Sequence, residues 1–402
     1  MRIVLATELW YPDTFGGSER VARETAARLA ARGHDVIVWT LRNRRADLPA
    51  TERDGRLLVR RYGRAERRVV PRTVPMLGVG LKARRDARRA DLVITHHTWP
   101  SVTVGLRTGG VPILHQFHAA PSLEWVQAGE KASRQLSRGP LRRVRRPIFA
   151  GYQRVIAAAE GRSIRQATAV TALSEFSRSI LAQRYPDVLG RLTLIPGGVD
   201  TARFAPAADR VAARAELGFA EDETVVVSVR RMAPRMGLPE LVRAVARLRP
   251  DHPGLRLVLV GDGILRPTIE AEIARLGVGD AVSLAGRVDD EALVRRYQAA
   301  DLFALPTQAY EGFGMVTLEA LACGTPVVGT PAGATPEILR PLDPDLVSRD
   351  SSEEAIADAL RHWLAADLAP MRVRAREHAL GYDWERIMDR YEALCREVAG
   401  RA

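Results

Sequence analysis

The densest set of groups that could do chemistry in this 402-residue chain lies between Leu305 and Gly333, LPTQAYEGFGMVTLEALACGTPVVGTPAG. A carboxylate, Glu311, precedes the glycine pair of Gly312-Phe313-Gly314, and a second carboxylate, Glu319, follows eight residues after the first. Apolar Met315, Val316, Leu318, Ala320 and Leu321 surround Glu319 in sequence and predict a helix that opens at the glycines. The first turn of such a helix aims unpaired N–H groups and the positive end of its dipole at whatever lies before it, which suits a phosphate. Glycines without a Cβ let a ligand approach the main chain closely. One carboxylate at the mouth and another two turns deeper suit a polyhydroxylated ligand with an anion between its ends. Sugar hydroxyls would meet Glu311, phosphate the N–H groups from Phe313 to Met315 beside Val316, and ribose hydroxyls Glu319. The same residues admit a structural reading, in which Glu311 favours a helix N-terminus and Glu319 closes a core hydrogen-bond network. A carboxylate among apolar neighbours is costly unless something bonds to it.

The elements that would position these groups alternate along the chain. Ile3–Thr7 reads as a buried parallel strand, and the turn after it, through Gly16-Gly17-Ser18-Glu19, opens a helix over Arg20–Ala31. Further strands are expected at 36–40, 57–61, 91–95, 112–116, 168–173 and 192–195, then at 224–229, 255–260, 281–285, 301–305 and 327–328. Strands buried on both faces and separated by helical stretches predict an α/β protein with parallel sheets, which bind ligands beyond the carboxyl ends of their strands. His96, His97, His115 and His118 all fall at such ends. The tail carries Trp384, Ile387, Met388, Tyr391, Leu394 and Val398 at helical spacing, the pattern of a packed amphipathic helix.

The E-x7-E spacing inside PTxxYEGFGMVTLEALACGTPVV resembles the signature of retaining glycosyltransferases of family 4, and nearly the whole chain follows that pattern. The resemblance implies the GT-B fold: two Rossmann-like doubly wound domains, an interdomain cleft and a C-terminal helix crossing back to the first domain. It implies an acceptor-binding domain over 1–200 with the helix 381–402, and a nucleotide-sugar-binding domain over 201–380. Sugar would pass from a nucleotide diphosphate sugar to an acceptor with retained anomeric configuration, with no metal and no cofactor beyond the donor. Catalytic roles fall on Glu311, His118 and Arg231; His118 matches the family's histidine beside the donor sugar. Gly16 and Gly17 match a GG-x-E turn set against the donor's phosphates. The family's diphosphate clamp reads GRLxxxKG; here Arg231 matches its arginine, whereas Met236 stands where its lysine should be. No lysine follows Lys131, so the second cation must be an arginine, and Arg235 is the nearest candidate. The absence of a later lysine also excludes a pyridoxal-phosphate phosphorylase on the same fold.

Net charge is +12, but residues 1–200 alone hold 33 Arg and 2 Lys against 17 acids, while the remainder holds 25 Arg against 31 acids. The first half therefore favours an anionic acceptor or a peripheral contact with an anionic membrane surface, unless the excess simply reflects heavy use of arginine. The interleaved Leu123, Trp125, Phe149 and Tyr152 with Arg142, Arg143, Arg145 and Arg146 suit an acceptor lid, a membrane-surface helix or a solvated helix end. No nucleic-acid-binding module is recognisable. Glu8 interrupts the N-terminal apolar run, so a cytoplasmic protein is expected, peripheral at the inner membrane face if the basic half docks there. The two cysteines, Cys323 and Cys395, are expected to be reduced. Asp343-Pro344-Asp345 has the letters of a metal-binding DxD but sits in a proline-rich turn. The acceptor classes left open are a lipid-linked or cell-envelope glycan, a small polar metabolite such as an inositol or its phosphate, and a specialised-metabolite aglycone. A nucleotide-sugar epimerase or hydrolase of the same fold is the alternative activity, and a non-enzymatic nucleic-acid-binding protein, suggested by the basic first half alone, is the more remote one.

Overall fold

The computed structural model describes residues 1–12, 16–42, 48–63, 73–120, 122–123 and 142–401. Phe15, Trp125, Lys131 and the arginine-rich stretch 64–72 lie outside the described residues, as do the side chains of 142–149. The chain divides into two compact units, Met1–Pro196 with Ile387–Ala402, and Gly197–Arg386.

In the first unit the strands β1 (Arg2–Ala6), β2 (Asp35–Leu41), β3 (Thr51–Asp54), β4 (Leu57–Tyr62), β5 (Leu92–Thr95), β6 (Ile113–Phe117), β7 (Ala169–Ala172) and β8 (Leu192–Leu194) form one sheet. Their order is β3-β4-β2-β1-β5-β6-β7-β8. All neighbours are parallel except β3, which pairs antiparallel with β4. The sequence reading has no strand at β3, because Thr-Glu-Arg-Asp is exposed throughout and shows no apolar alternation. Backbone pairing beside the Asp54-Gly55 turn, with Gly55 at φ +53°, makes it an edge strand. Ile3, Val4 and Leu5 are fully buried at the centre, as continuous apolar runs in parallel sheets must be. Since β1 has β2 on one side and β5 on the other, the loops leaving β1 and β5 part at their carboxyl ends and open a crevice there.

The last helix, Trp384–Ala399, joins this unit from Ile387 onward. Ile387, Met388, Tyr391, Leu394 and Val398 are buried, and Asp389 and Glu392 bond to Arg32 and His34 at 2.8 and 3.0 Å. Trp384 itself falls in the second unit, where its N–H donates to the Val199 carbonyl at 3.1 Å. Its ring covers Gly198 so closely that a Cβ there would lie 2.5 Å from it.

The second unit holds β9 (Thr224–Val229), β10 (Leu255–Val260), β11 (Val282–Gly286), β12 (Leu302–Leu305) and β13 (Val327–Gly329), all parallel, in the order β11-β10-β9-β12-β13. Val225, Val226 and Val227 of β9 are buried, each contributing about 1.5–3 kcal/mol relative to an exposed side chain. Asp301, just before β12, ties that strand to β9 by accepting from the Val225 N–H at 2.8 Å while Arg214 neutralises it at 2.9 Å. The second crevice opens between the carboxyl ends of β9 and β12, where the strand order again reverses. Among the described residues no helix is long and apolar enough to cross a membrane.

Candidate active site

Beyond β9 the chain runs Arg230 to Gly237, and beyond β12 it runs Pro306 to Gly314; the two loops lie side by side. The Gln308 N–H donates to the Arg235 carbonyl at 2.8 Å, and the Arg235 guanidinium donates to the Tyr310 carbonyl at 2.9 Å. Gly237 has φ +71°, and a Cβ on it would fall 1.7 Å from the Pro306 carbonyl oxygen, so only glycine allows this approach. Glu311 is held from behind in the same manner. Its carbonyl accepts from the Ala334 N–H at 2.8 Å, and Gly333, at φ +62°, presses its backbone against it. Tyr310, at φ +53°, turns the chain just before the carboxylate.

The Glu311 side chain is 13% exposed and pairs with Arg230, itself 5% exposed, at 2.7 Å. Its Oε2 takes both the Arg230 Nη2 proton and the Thr307 hydroxyl, at 2.7 and 3.1 Å. Its Oε1 makes no hydrogen bond among the described residues. Burial alone would raise the Glu311 pKa, but the charge and hydrogen bond of Arg230, then Arg235 and Thr307, outweigh it and hold the carboxyl below its ordinary range. Glu311 is therefore an oriented anion with one oxygen fixed and one unspent.

Gly314, at φ +96°, starts the helix Met315–Ala322 as the sequence predicts. The N–H groups of Phe313 and Gly314 find no acceptor among the described residues, leaving donors beside the Glu311 carboxylate. Met315 is buried and Val316 half-buried. Glu319 lies deeper, 3% exposed, where its Oε2 accepts from the hydroxyl of fully buried Tyr297 at 3.0 Å. Arg231 takes no part in this network: its side chain is exposed and forms no hydrogen bond or ion pair among the described residues. The arginine that meets Glu311 is its neighbour Arg230. Two adjacent arginines beyond a strand buried on both faces look alike in sequence, and no periodicity marks Arg230 as the inward one.

In the first unit the switch-point crevice gathers the histidines. His97 Nδ1 accepts from the Glu8 N–H at 3.3 Å, which places its proton on Nε2, 3.3 Å from the Ser18 hydroxyl. Ser18 in turn donates to Glu19 at 2.8 Å, so the histidine orients the turn that begins with Gly16 and Gly17 at the start of the helix Gly17–Ala31. His118 Nε2 lies 2.9 Å from His96 Nδ1, and the His118 ring stacks on those of both His96 and His97. Burial, then the neighbouring histidines, push His96 and His118 well below the ordinary imidazole range, and the same causes bring His115 to about 3. His118 is thus neutral at pH 7, with Nδ1 free of any partner among the described residues. Glu8, noticed in sequence only as an interruption, accepts from the Trp99 N–H at 3.2 Å, and its pKa is raised by burial despite His97 and that bond. Asp343 caps its own turn by accepting from the Asp345 N–H at 3.0 Å.

The description "Glycosyltransferase Family 4" matches residues 15–203, and "Glycosyl transferases group 1" matches residues 209–380. A D-inositol 3-phosphate glycosyltransferase of Nocardia farcinica is 32% identical over 96% of this chain and 86% of its own length. Among solved structures, the sucrose-phosphate synthase of Thermosynechococcus elongatus superposes with a TM-score of 0.83 at 25% identity, over all of both chains. Anabaena HepE, in complex with UDP and glucose, superposes at 0.74 and 20% identity over 98% of this chain and 99% of its own. The chain belongs to family 4 of the glycosyltransferases and has the GT-B fold.

Proposed function

From that membership we propose that the second unit binds a nucleotide diphosphate sugar and that the enzyme passes the sugar, with retention, to a small polar acceptor carrying an anionic group. The observation that carries the reading is the Glu311 carboxylate: its Oε2 is fixed, while its Oε1 and the nearby N–H groups of Phe313 and Gly314 have no partner among the described residues. Sugar hydroxyls donate to Oε1, while the diphosphate accepts from the N–H groups and from Arg231, the exposed cation of the same crevice. As the sugar departs, negative charge grows on the diphosphate, and these preformed donors stabilise it without reorganising. Arg235 braces the Glu311 turn through the Tyr310 carbonyl and adds its charge nearby. Glu319, steadied by Tyr297, is assigned to the ribose. The family resemblance assigns Gly16 and Gly17 to the phosphates and neutral His118, through Nδ1, to the reacting sugar. No metal ligand or covalent nucleophile enters this scheme. The relatives named for transfer to inositol 3-phosphate and the basic first half, +18 net, support a cyclitol or sugar phosphate as the acceptor.

A thermal-shift panel of UDP, GDP, ADP and dTDP with their common sugars tests the donor, because a ligand of the native state raises its stability by mass action. One nucleotide series should shift the wild type and fail to shift Glu319→Ala. Product analysis with inositol phosphate, hexose phosphates and the uncharged parents then tests the acceptor; preference for an uncharged parent would overturn the anionic reading.

A further inference from the structure

In the clamp motif GRLxxxKG, Arg231 falls on the arginine, so Arg230 stands on the first glycine and Met236 on the lysine. The chain has gained a cation at one position of the loop and lost one at another. In the structure these two positions touch: Arg230 Nη2 lies 2.7 Å from Met236 Sδ and 2.7 Å from Glu311 Oε2. Met236 and Arg230 are both buried. We infer that the two departures are one exchange, in which Arg230 takes over the clamp's second positive charge and Met236 forms the apolar seat that receives it.

A lysine at 236 would press an ammonium against the guanidinium in a site with little water to screen it. A glycine at 230 would leave the buried Glu311 carboxylate without its cation, the costly way to break a buried pair. Each departure is thus tolerable only with the other. Arg230 also spends only Nη2 on protein: its Nε and Nη1 make no hydrogen bond among the described residues. Because Arg230 and Glu311 hold each other through Nη2 and Oε2, a ligand meets a cation and an anion fixed to each other. This assigns the missing clamp charge to Arg230 and leaves Arg235 as the brace of the Tyr310 turn. The inference rests on the donor reading given above, and its test separates the two.

The test is a double-mutant cycle of R230G, M236K and R230G/M236K, read in two ways. In the apo protein, both single variants should melt at least about 4 °C below wild type, and the double variant should recover most of that loss. With whichever of UDP, GDP, ADP and dTDP shifts the wild type most, each single variant should bind about tenfold more weakly or worse. The double variant should return to within about threefold of wild type. Additive losses in both readouts would overturn the exchange, and so would single variants indistinguishable from wild type. If no nucleotide binds wild type, the donor reading fails, and the apo cycle alone then decides the exchange. Should R230G not fold, R230M replaces it, keeping the side-chain volume while removing the charge.

Discussion

Gly333→Ala should disable the enzyme from a position that carries no functional side chain. A Cβ on Gly333 would lie 2.2 Å from the Glu311 carbonyl oxygen and 2.6 Å from its nitrogen, whereas ordinary contact begins at 3.4 Å. The Glu311 backbone must therefore retreat by about 1.2 Å. That movement strains the 2.8 Å bond from the Ala334 N–H and carries the carboxylate off the line set by Arg230 and Thr307. Misplacing a substrate-positioning group by about 1 Å costs on the order of 100-fold in rate. The left-handed backbone adds about 1–2 kcal/mol of strain for any residue with a Cβ. Gly277 separates the two effects, since it has nearly the same φ, +66°, with nothing within 4 Å of its Cβ position. Gly277→Ala should lower Tm by about 2–8 °C and leave kcat/KM unchanged. Gly333→Ala should show at least that loss of Tm and about a 100-fold loss of kcat/KM for sugar transfer. If both variants transfer sugar within threefold of each other, Glu311 is not positioned through this backbone contact and the reasoning fails.

Arg231→Ala removes an exposed side chain with no partner among the described residues, so unfolding free energy should stay within about 0.5 kcal/mol of wild type while donor kcat/KM falls at least about tenfold; equal turnover would assign the diphosphate to other groups. Tyr297→Phe deletes the 3.0 Å bond to Glu319 in a buried site, and urea titration should show a loss of about 1–3 kcal/mol, with a raised donor KM if Glu319 serves the ribose. Burial would raise the Glu392 pKa, but the hydrogen bonds from Arg396, His34 and Arg32 outweigh it and bring it down to about 2. A depressed folded pKa means that this contribution is full above the unfolded value, about 4.3, and is lost as pH falls from there toward 2. Limited proteolysis should accordingly release the last helix between pH 4 and 2, and in Glu392→Gln already at pH 7; an unchanged cleavage pattern would sink that assignment.

Period and punctuation made most of the elements legible. β9 and β10 coincide with the apolar runs that predict them, because strands buried on both faces leave no choice of residue type. The glycine turn before Met315 was equally plain, since a left-handed φ needs glycine whatever packs around it. β3 was not legible, because an exposed edge strand is held by main-chain bonds that any four residues can make. Nor was the seat of Trp384: a helical stripe shows which face is buried but not what buries it.

At the site, the sequence by itself determined that a glycine turn opens a helix between Glu311, in the loop before it, and Glu319, inside it, because the glycines and the apolar run after them mark where the helix starts. It also determined the family, through the E-x7-E pattern and the two αβ halves. Only the tertiary structure decided which arginine meets Glu311. Arg230 and Arg231 differ by one position in the loop beyond β9, and the path of that loop brings one to the carboxylate and leaves the other exposed. It alone decided that Glu8, Ser18, His96, His97 and His118, gathered from beyond β1, β5 and β6, form one connected cluster, for that depends on strand order. Hydrogen bonds and charges act over a few ångströms of space, and residues distant in sequence become neighbours only when the sheet is assembled.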